Sequence, residues 1–446
     1  MRRIFLSLSN RNYRIWAAGA LISNIGGWMQ RTAQDWIVLT ELTHHNATAV
    51  GIVMGLQFGP QILLLPLTGY AADHLDRRKL LFCTQAAMGL FALGLGFLVV
   101  THLVQLWHVY VFAFLLGSAA AFDSPARQTF VTQLVEPALL TNAVGLNSTS
   151  FNAARMVGPA IAGIVISAVG SGYVFLINAA SFVAVLVALA MLRVDNPTSG
   201  RRALSRGGLT DGFRYVLGRP DLRVILSMLF LVGTFGLNFP IFISTMSVSI
   251  FHVGAGQFGL LTSMMAAGSV TGALLAAART RPGIPLLAIA AAMFGVTCAA
   301  AAFAPFYLAF GLILFTIGVS AQTFTTSSNS LTQLSTAPDM RGRVIAILLA
   351  ITLGGTPIGA PIVGWVADQF GPRWALSVAA ASGILAAVIA ALYLAERWRL
   401  HRDASPAEGG ATQCEVPKRW AAASTRHAQA GDMRKITDSS DSEKSS

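Results

Sequence analysis

The chain has 446 residues, 54% of them hydrophobic and only 11% charged, with a mean hydropathy of +0.62. A water-soluble domain carries about 25% charged residues, so this composition excludes an ordinary soluble globule and indicates a polytopic membrane protein. The 31 Lys and Arg against 19 Asp and Glu leave a net charge of +12, and where those bases sit decides between a nucleic-acid partner and a membrane topology.

Apolar segments long enough to cross about 30 Å of hydrocarbon recur along the chain. The first six cover residues 13–39, 48–72, 80–100, 106–124, 143–169 and 172–192. After an Arg-rich break, six more cover 222–250, 256–278, 284–303, 306–326, 343–368 and 374–395. Of the 31 basic residues, 28 fall at the N-terminus, in alternate connections, in the middle segment and in the tail, all on one side of a twelve-span layout. Arg373 alone lies in the opposite connections, while Arg31 and Arg155 fall inside spans. Cytoplasmic loops retain Lys and Arg, so both termini and the middle loop are expected in the cytoplasm, with no nucleic-acid partner. Arg11 and Arg14 interrupt any signal-peptide core and no cleavage site follows, so the N-terminus reads as an uncleaved cytoplasmic end.

The expected organisation is an N-terminal six-helix half over 1–192, a cytoplasmic Arg-rich linker over 193–221, a C-terminal six-helix half over 222–400, and a disordered cytoplasmic tail over 401–446, where polar and charged residues dominate. The halves repeat. Gln133-Leu134 is matched by Gln333-Leu334, and Gly158-Pro159-Ala160-Ile161-Ala162-Gly163 by Gly359-Ala360-Pro361-Ile362-Val363-Gly364. Gly69, Gly163, Gly272 and Gly364 hold equivalent places at the ends of spans 2, 5, 8 and 11, giving units of three spans. Such nested repeats build secondary transporters, whose two halves rock about a midplane cavity.

Span 1 contains Trp28-Met29-Gln30-Arg31-Thr32-Ala33-Gln34-Asp35-Trp36, in which Arg31 and Asp35 are four apart and share a helical face. Asp35 is the acid most clearly inside an apolar span, and thus a candidate proton carrier; a local Arg31–Asp35 ion pair at the outer mouth is the other reading. Arg155 in span 5 is costly at membrane depth and needs a partner facing the cavity. Amides at Asn24, Gln30, Gln34, Gln57, Gln61, Asn147, Asn152, Asn178, Asn238, Gln322 and Asn329 serve either the cavity or interhelical hydrogen bonds. Trp28, Trp36, Phe230, Phe235 and Phe239 offer either an apolar substrate surface or packing against helices and lipid.

At the end of span 2 stands Gly69-Tyr70-Ala71-Ala72-Asp73-His74-Leu75-Asp76-Arg77-Arg78-Lys79. An acid at a helix end followed by a basic turn can latch onto a neighbouring helix, or simply anchor the topology. This segment resembles the loop between spans 2 and 3 of the major facilitator superfamily: Gly69, Asp73, Arg77 and Arg78 fit, whereas His74 and Asp76 replace a basic residue and a glycine. The resemblance implies a cytoplasmic gating loop. Gly364-Trp365-Val366-Ala367-Asp368 repeats the pattern at the outer end of span 11.

Phe122-Asp123-Ser124-Pro125-Ala126-Arg127-Gln128, expected between spans 4 and 5, and Asn152-Ala153-Ala154-Arg155-Met156-Val157-Gly158-Pro159 in span 5 resemble the superfamily branch of the enterobactin exporter and of macrolide and multidrug efflux proteins. Asp123 and Arg127 mark that loop motif. Gly158, Pro159 and Gly163 also match the antiporter motif of proton-coupled exporters, with Ala154 and Ala162 in place of glycines; small residues and a proline make a pliant packing hinge.

The implied fold is all-α, twelve transmembrane helices in two pseudo-symmetric six-helix halves. The implied function is a proton-coupled exporter, an antiporter, of small amphipathic compounds such as drugs or siderophores; an importer or facilitator on the same fold, or a non-transporting receptor or scaffold, are the alternatives. Partners are then a small-molecule substrate, protons and the lipid bilayer, for a monomer in a bacterial inner membrane. No catalytic constellation, cofactor motif or metal site is expected. Cys83, Cys298 and Cys414 fit no ligand spacing, Gly254-Ala255-Gly256-Gln257-Phe258-Gly259 opens a span rather than following a strand, and no P-loop is present.

Overall fold

The computed structural model describes residues 6–192, 209–277, 283–338 and 340–403. The tail and most of the linker therefore lie outside the described residues. Twelve helices carry the fold. The N-terminal half comprises α1 (Arg11–Ile37), α2 (Ala47–Leu63, continued as Leu65–His74), α3 (Arg77–Val100), α4 (Leu106–Leu134), α5 (Leu140–Val169) and α6 (Ser171–Met191). The C-terminal half comprises α7 (Pro220–Ile250), α8 (Ala255–Ala277), α9 (Ile284–Ala302), α10 (Tyr307–Ser335), α11 (Arg341–Phe370) and α12 (Pro372–Asp403).

Ten of these are long and apolar enough to cross a membrane on composition alone. The two that fall short are α1, diluted by Arg31, Asp35 and its amides, and α2, interrupted at Leu64 (φ −92°, ψ 3°) between Pro60 and Pro66. Proline removes an amide donor and crowds the preceding turn, which accounts for the break.

The internal repeat is visible in the backbone. A single glycine at positive φ turns the chain between the last two helices of each half, Gly170 (96°) and Gly371 (99°), a conformation in which any side chain is strained. The first helix of each half also loosens into a π turn, Val38–Leu42 after α1 and Met246–Ile250 within α7, and each turn is followed by a left-handed histidine, His45 or His252. A second π turn, Val232–Gly236, divides α7 at mid-length, where Asn238 Nδ2 donates to the Thr234 carbonyl at 2.7 Å. π turns of this kind cluster at functional sites.

One end of the bundle gathers Arg77, Arg78, Arg341 and Arg343, and is here the basic end; the other is the far end. Asp123 and Arg127 were expected in a connecting loop, but both lie inside α4, which continues to Leu134. At 1.5 Å per residue a helix of 29 residues is about 43 Å long and outruns the hydrocarbon, so hydropathy loses sight of its last turns. The polar groups there satisfy one another. Asp123 accepts from Thr84 Oγ1 (2.9 Å) and Gln85 Nε2 (2.6 Å) of α3, and from Arg127 Nε (3.0 Å); Arg127 Nη1 reaches Asn24 of α1 at 3.2 Å. With Asp123 only 5% exposed, this network rivets three helices of one half together. The linker is likewise helical over Leu209–Leu217, and Arg219 pairs with Asp221 at 2.7 Å while donating to the Ser335 carbonyl.

Candidate transport cavity and its seals

The halves meet along two seams, α2 against α11 and α5 against α8. At the far end both seams are closed by backbone contact. A Cβ placed on Gly51 would lie 2.4 Å from the Ala360 carbonyl, and one on Gly364 would lie 2.5 Å from the Ala47 carbonyl. Across the second seam, a Cβ on Gly259 would lie 2.3 Å from the Pro159 carbonyl, and one on Gly163 would lie 2.6 Å from the Ala255 carbonyl. Only glycine permits such approach. A polar bond completes the first seam: Asp368, at the end of α11, accepts from the amides of Ala47 (2.7 Å) and Thr48 (2.8 Å) and from the Thr48 hydroxyl, capping the first turn of α2. The acid noted at the end of span 11 as a sign of the repeat is thus a contact between the halves.

Toward the basic end the packing loosens. Gly145, Ser148, Asn152 and Arg155 follow one face of α5; a Cβ on Gly145 would meet nothing within 4 Å, and Ser148 is exposed. The backbone contacts between the halves are therefore concentrated at the far end.

Between the seams lies a cavity of about 210 Å³. Arg31 and Asp35 of α1 and Arg155 of α5 all line it, with Gln57 and Phe58 of α2, Phe239 and Ile243 of α7, Phe258 and Thr262 of α8, and Thr356 of α11. The sequence-derived trio is thus brought together. No Arg31–Asp35 contact lies within ion-pair distance among the described residues, although the two charges still act on each other through space. The Arg31 guanidinium instead lies 4.8 Å from the centre of the Trp28 ring and 5.8 Å from that of Phe58. Arg155 also approaches Trp28, at 5.8 Å, and its Nη2 donates to Ser269 Oγ of α8 at 3.3 Å, across the halves. Two guanidiniums on one indole gain cation–π attraction from the ring while keeping most of their N–H groups uncommitted.

The antiporter-like residues underlie this site. A Cβ on Gly158 would lie 2.7 Å from Trp28 Cβ, so that glycine lets α5 press against the indole. Pro159 and Gly163 form the α8 seam. These close contacts therefore adjoin the cavity.

The gating-loop residues sit away from the cavity. Arg78 donates from Nε to the Leu189 carbonyl (3.0 Å) and from Nη2 to the Ala190 carbonyl (3.1 Å), closing the last turn of α6. Asp76, a departure from the family pattern, accepts from the Arg78 and Lys79 amides and is the N-cap of α3. Arg77 Nε is buried without a hydrogen-bond partner among the described residues; the backbone of Gly69 and Asp73 lies in α2, and the Asp73 side chain lies outside the described residues.

Three of the set of amides bond between helices. Asn24 holds Arg127, and Asn178 of α6 donates to Gln30 of α1; only Gln57 of that set lines the cavity. Of the aromatics, Trp28 and Phe239 line it, Trp36 stacks on Phe258 at 5.7 Å, and Phe230 is exposed on the outside. Ser269, Thr262 and Thr356 were not foreseen, because isolated hydroxyls in apolar helices carry no distinguishing pattern.

The model of the transmembrane secretion effector family matches residues 5–409. The chain belongs to that family. It is a transporter of the major facilitator superfamily, in the efflux branch, with the twelve-helix fold described above. The staphyloferrin A transporter of Staphylococcus aureus is 26% identical over 78% of this chain and 87% of its own length. The multidrug efflux pump Tap of Mycolicibacterium fortuitum is 25% identical over 79% and 88%. Among solved structures, a bacterial homologue of the human lysosomal transporter Spinster, in an inward-facing and occupied conformation, aligns at a TM-score of 0.68 and 14% identity over 89% of this chain and 99% of that one; that likeness concerns the fold alone.

Proposed function

We propose that this transporter is a proton-coupled exporter, an antiporter that expels small amphipathic compounds in exchange for protons. It acts as a monomer in a bacterial inner membrane, with the basic end and both termini in the cytoplasm. The orientation rests on the placement of 28 of the 31 bases. Export is supported by the efflux relatives.

One observation carries the coupling: the Asp35 carboxylate faces the cavity between the halves, with no hydrogen bond or ion pair to it among the described residues. Beyond the through-space charge of Arg31, the partners left to it are a proton and a substrate. A proton arriving from outside neutralises the acid and favours return to the inward-facing form; substrate entering from the cytoplasm takes the acid's place as the occupant of the cavity. Gly158, Pro159 and Gly163 form the surface on which the halves pivot, and Asp73, Arg77 and Arg78 form the cytoplasmic latch of the opposite state.

The test uses proteoliposomes with a pH-sensitive dye inside, an imposed proton gradient, and a panel of amphipathic compounds, comparing wild type with Asp35→Asn. Substrate-dependent proton movement in wild type and none in the variant is the expected result. Equal responses would move coupling to another group. Labelled compound crossing without proton movement in either protein would make the chain a facilitator.

A further inference from the structure

The ionisable lining of the cavity is unbalanced, and the imbalance describes the cargo. Among the described residues two arginines, Arg31 and Arg155, face a single acid, Asp35, and the lining supplied by α2, α7, α8 and α11 contributes no ionisable group. Neither arginine has a carboxylate partner within ion-pair distance among the described residues. Arg31 makes no hydrogen bond and rests on ring faces, and Arg155 makes one, to Ser269. A guanidinium carries five donors in a planar fork suited to a carboxylate, and at membrane depth leaving that fork unmatched is costly. The remaining walls are Trp28, Phe58, Phe239 and Phe258 with aliphatic neighbours and four neutral polar groups, Thr32, Gln57, Thr262 and Thr356, which suit a flat or aliphatic body rather than a second charged group.

We infer that the cargo is an organic anion with an apolar body and, beside its carboxylate-type group, a hydrogen-bond donor: the anion is held by Arg31 and Arg155 over Trp28, and the donor is accepted by ionised Asp35. A permanent cation is disfavoured by the net positive site. This rests on the exchange reading above and deepens it. A simple anion would draw a proton onto Asp35 and the two would travel together. A hydroxyl or ammonium donated to Asp35 instead occupies the oxygens that a proton would take, so binding expels the proton. The donor is what makes exchange possible for an anion.

The test measures binding to the purified full-length protein in detergent, with proton release followed by dye in weak buffer. Three naphthyl probes share one body: 3-(2-naphthyl)lactate, 3-(2-naphthyl)propanoate and (2-naphthylmethyl)trimethylammonium. The hydroxy acid is expected to bind tightest and to release protons, the plain acid to bind without releasing them, and the cation to bind at least about tenfold more weakly, the scale of one lost charge-assisted contact. Arg31→Gln and Arg155→Gln should each weaken the hydroxy acid about tenfold or more, with Arg155→Lys intermediate because it keeps charge without the fork; circular dichroism and size-exclusion profiles check that each variant is folded. The inference is overturned if the cation binds tightest, if both Gln variants bind as wild type, or if neither acid binds at millimolar concentration. Cation binding with proton release would leave the exchange reading standing and remove this cargo; hydroxy-acid binding that needs the arginines but releases no protons would keep the cargo and remove exchange through Asp35.

Discussion

Replacing Asp368 with Ala should shift the transporter from the conformation described here toward one open at the far end. Asp368 is exposed, yet it accepts from two backbone amides and one hydroxyl of α2, a helix of the other half. Losing a side-chain N-cap costs about 1 kcal/mol, and the carboxylate's extra bonds raise this toward 2 kcal/mol at a solvent-facing site. Because the bonds exist only while α2 and α11 touch, the loss falls on the closed state alone, and 1–2 kcal/mol corresponds to roughly a 5–30-fold change in the ratio of closed to open. Spin labels at His44 and Arg373, exposed far-end positions in opposite halves, would report the ratio by pulsed electron resonance in a background free of Cys83, Cys298 and Cys414. A longer-distance population should grow by about that factor, with Asp368→Asn in between. Unchanged distance distributions in Asp368→Ala would refute the argument, showing that the glycine contacts alone set the equilibrium.

Other changes should act on folding rather than on the conformational ratio. Asp123→Ala leaves the partly buried Arg127 without its acid and Gln85 without its acceptor, so a loss of about 1–3 kcal/mol is expected, read as a fall in the thermal midpoint in detergent. Gly359→Ala places a Cβ 1.6 Å from the Thr234 carbonyl of α7; no rotamer change relieves a backbone clash, so the yield of folded protein should drop sharply, beyond the roughly 1–3 kcal/mol of ordinary overpacking. Arg78→Gln removes two bonds to the last carbonyls of α6 and should cost about 1 kcal/mol, the scale of a cation at a helix C-terminus, read as a lower thermal midpoint; as a residue of the proposed latch, its loss should also slow transport by the folded fraction.

Apolar run length and the placement of bases were enough to expect every one of the twelve helices, since both follow from the thickness and polarity of the bilayer. The ends of α4 and α10 were not legible, because those helices continue into the interfacial region where composition turns polar. Trp28, Arg31, Asp35 and Arg155 stood out because charges and indoles are expensive or conspicuous in a span, and the structure gathers all four. What remained hidden was relational. Gly51 and Gly259 are two among 42 glycines until a carbonyl from the other half is found against them. Asp76 looked like a defect in a motif until its two amide bonds made it a cap. Asp368 looked like an echo of Asp73 until its bonds crossed the seam.

The far-end closure has a kinetic consequence. A gate made of side chains can open one rotamer at a time, on a timescale of picoseconds to nanoseconds, and leaks accordingly. Here main-chain carbonyls rest on glycine Cα atoms along two seams, and the Asp368 carboxylate that bridges the first is itself held by main-chain amides. Passage through the far end requires α2 to part from α11 and α5 from α8 over several turns together, a collective step of microseconds to milliseconds. Such a closure is slow to open but tight against ions, which matters in a membrane whose proton gradient would otherwise drain through the very path the cargo uses.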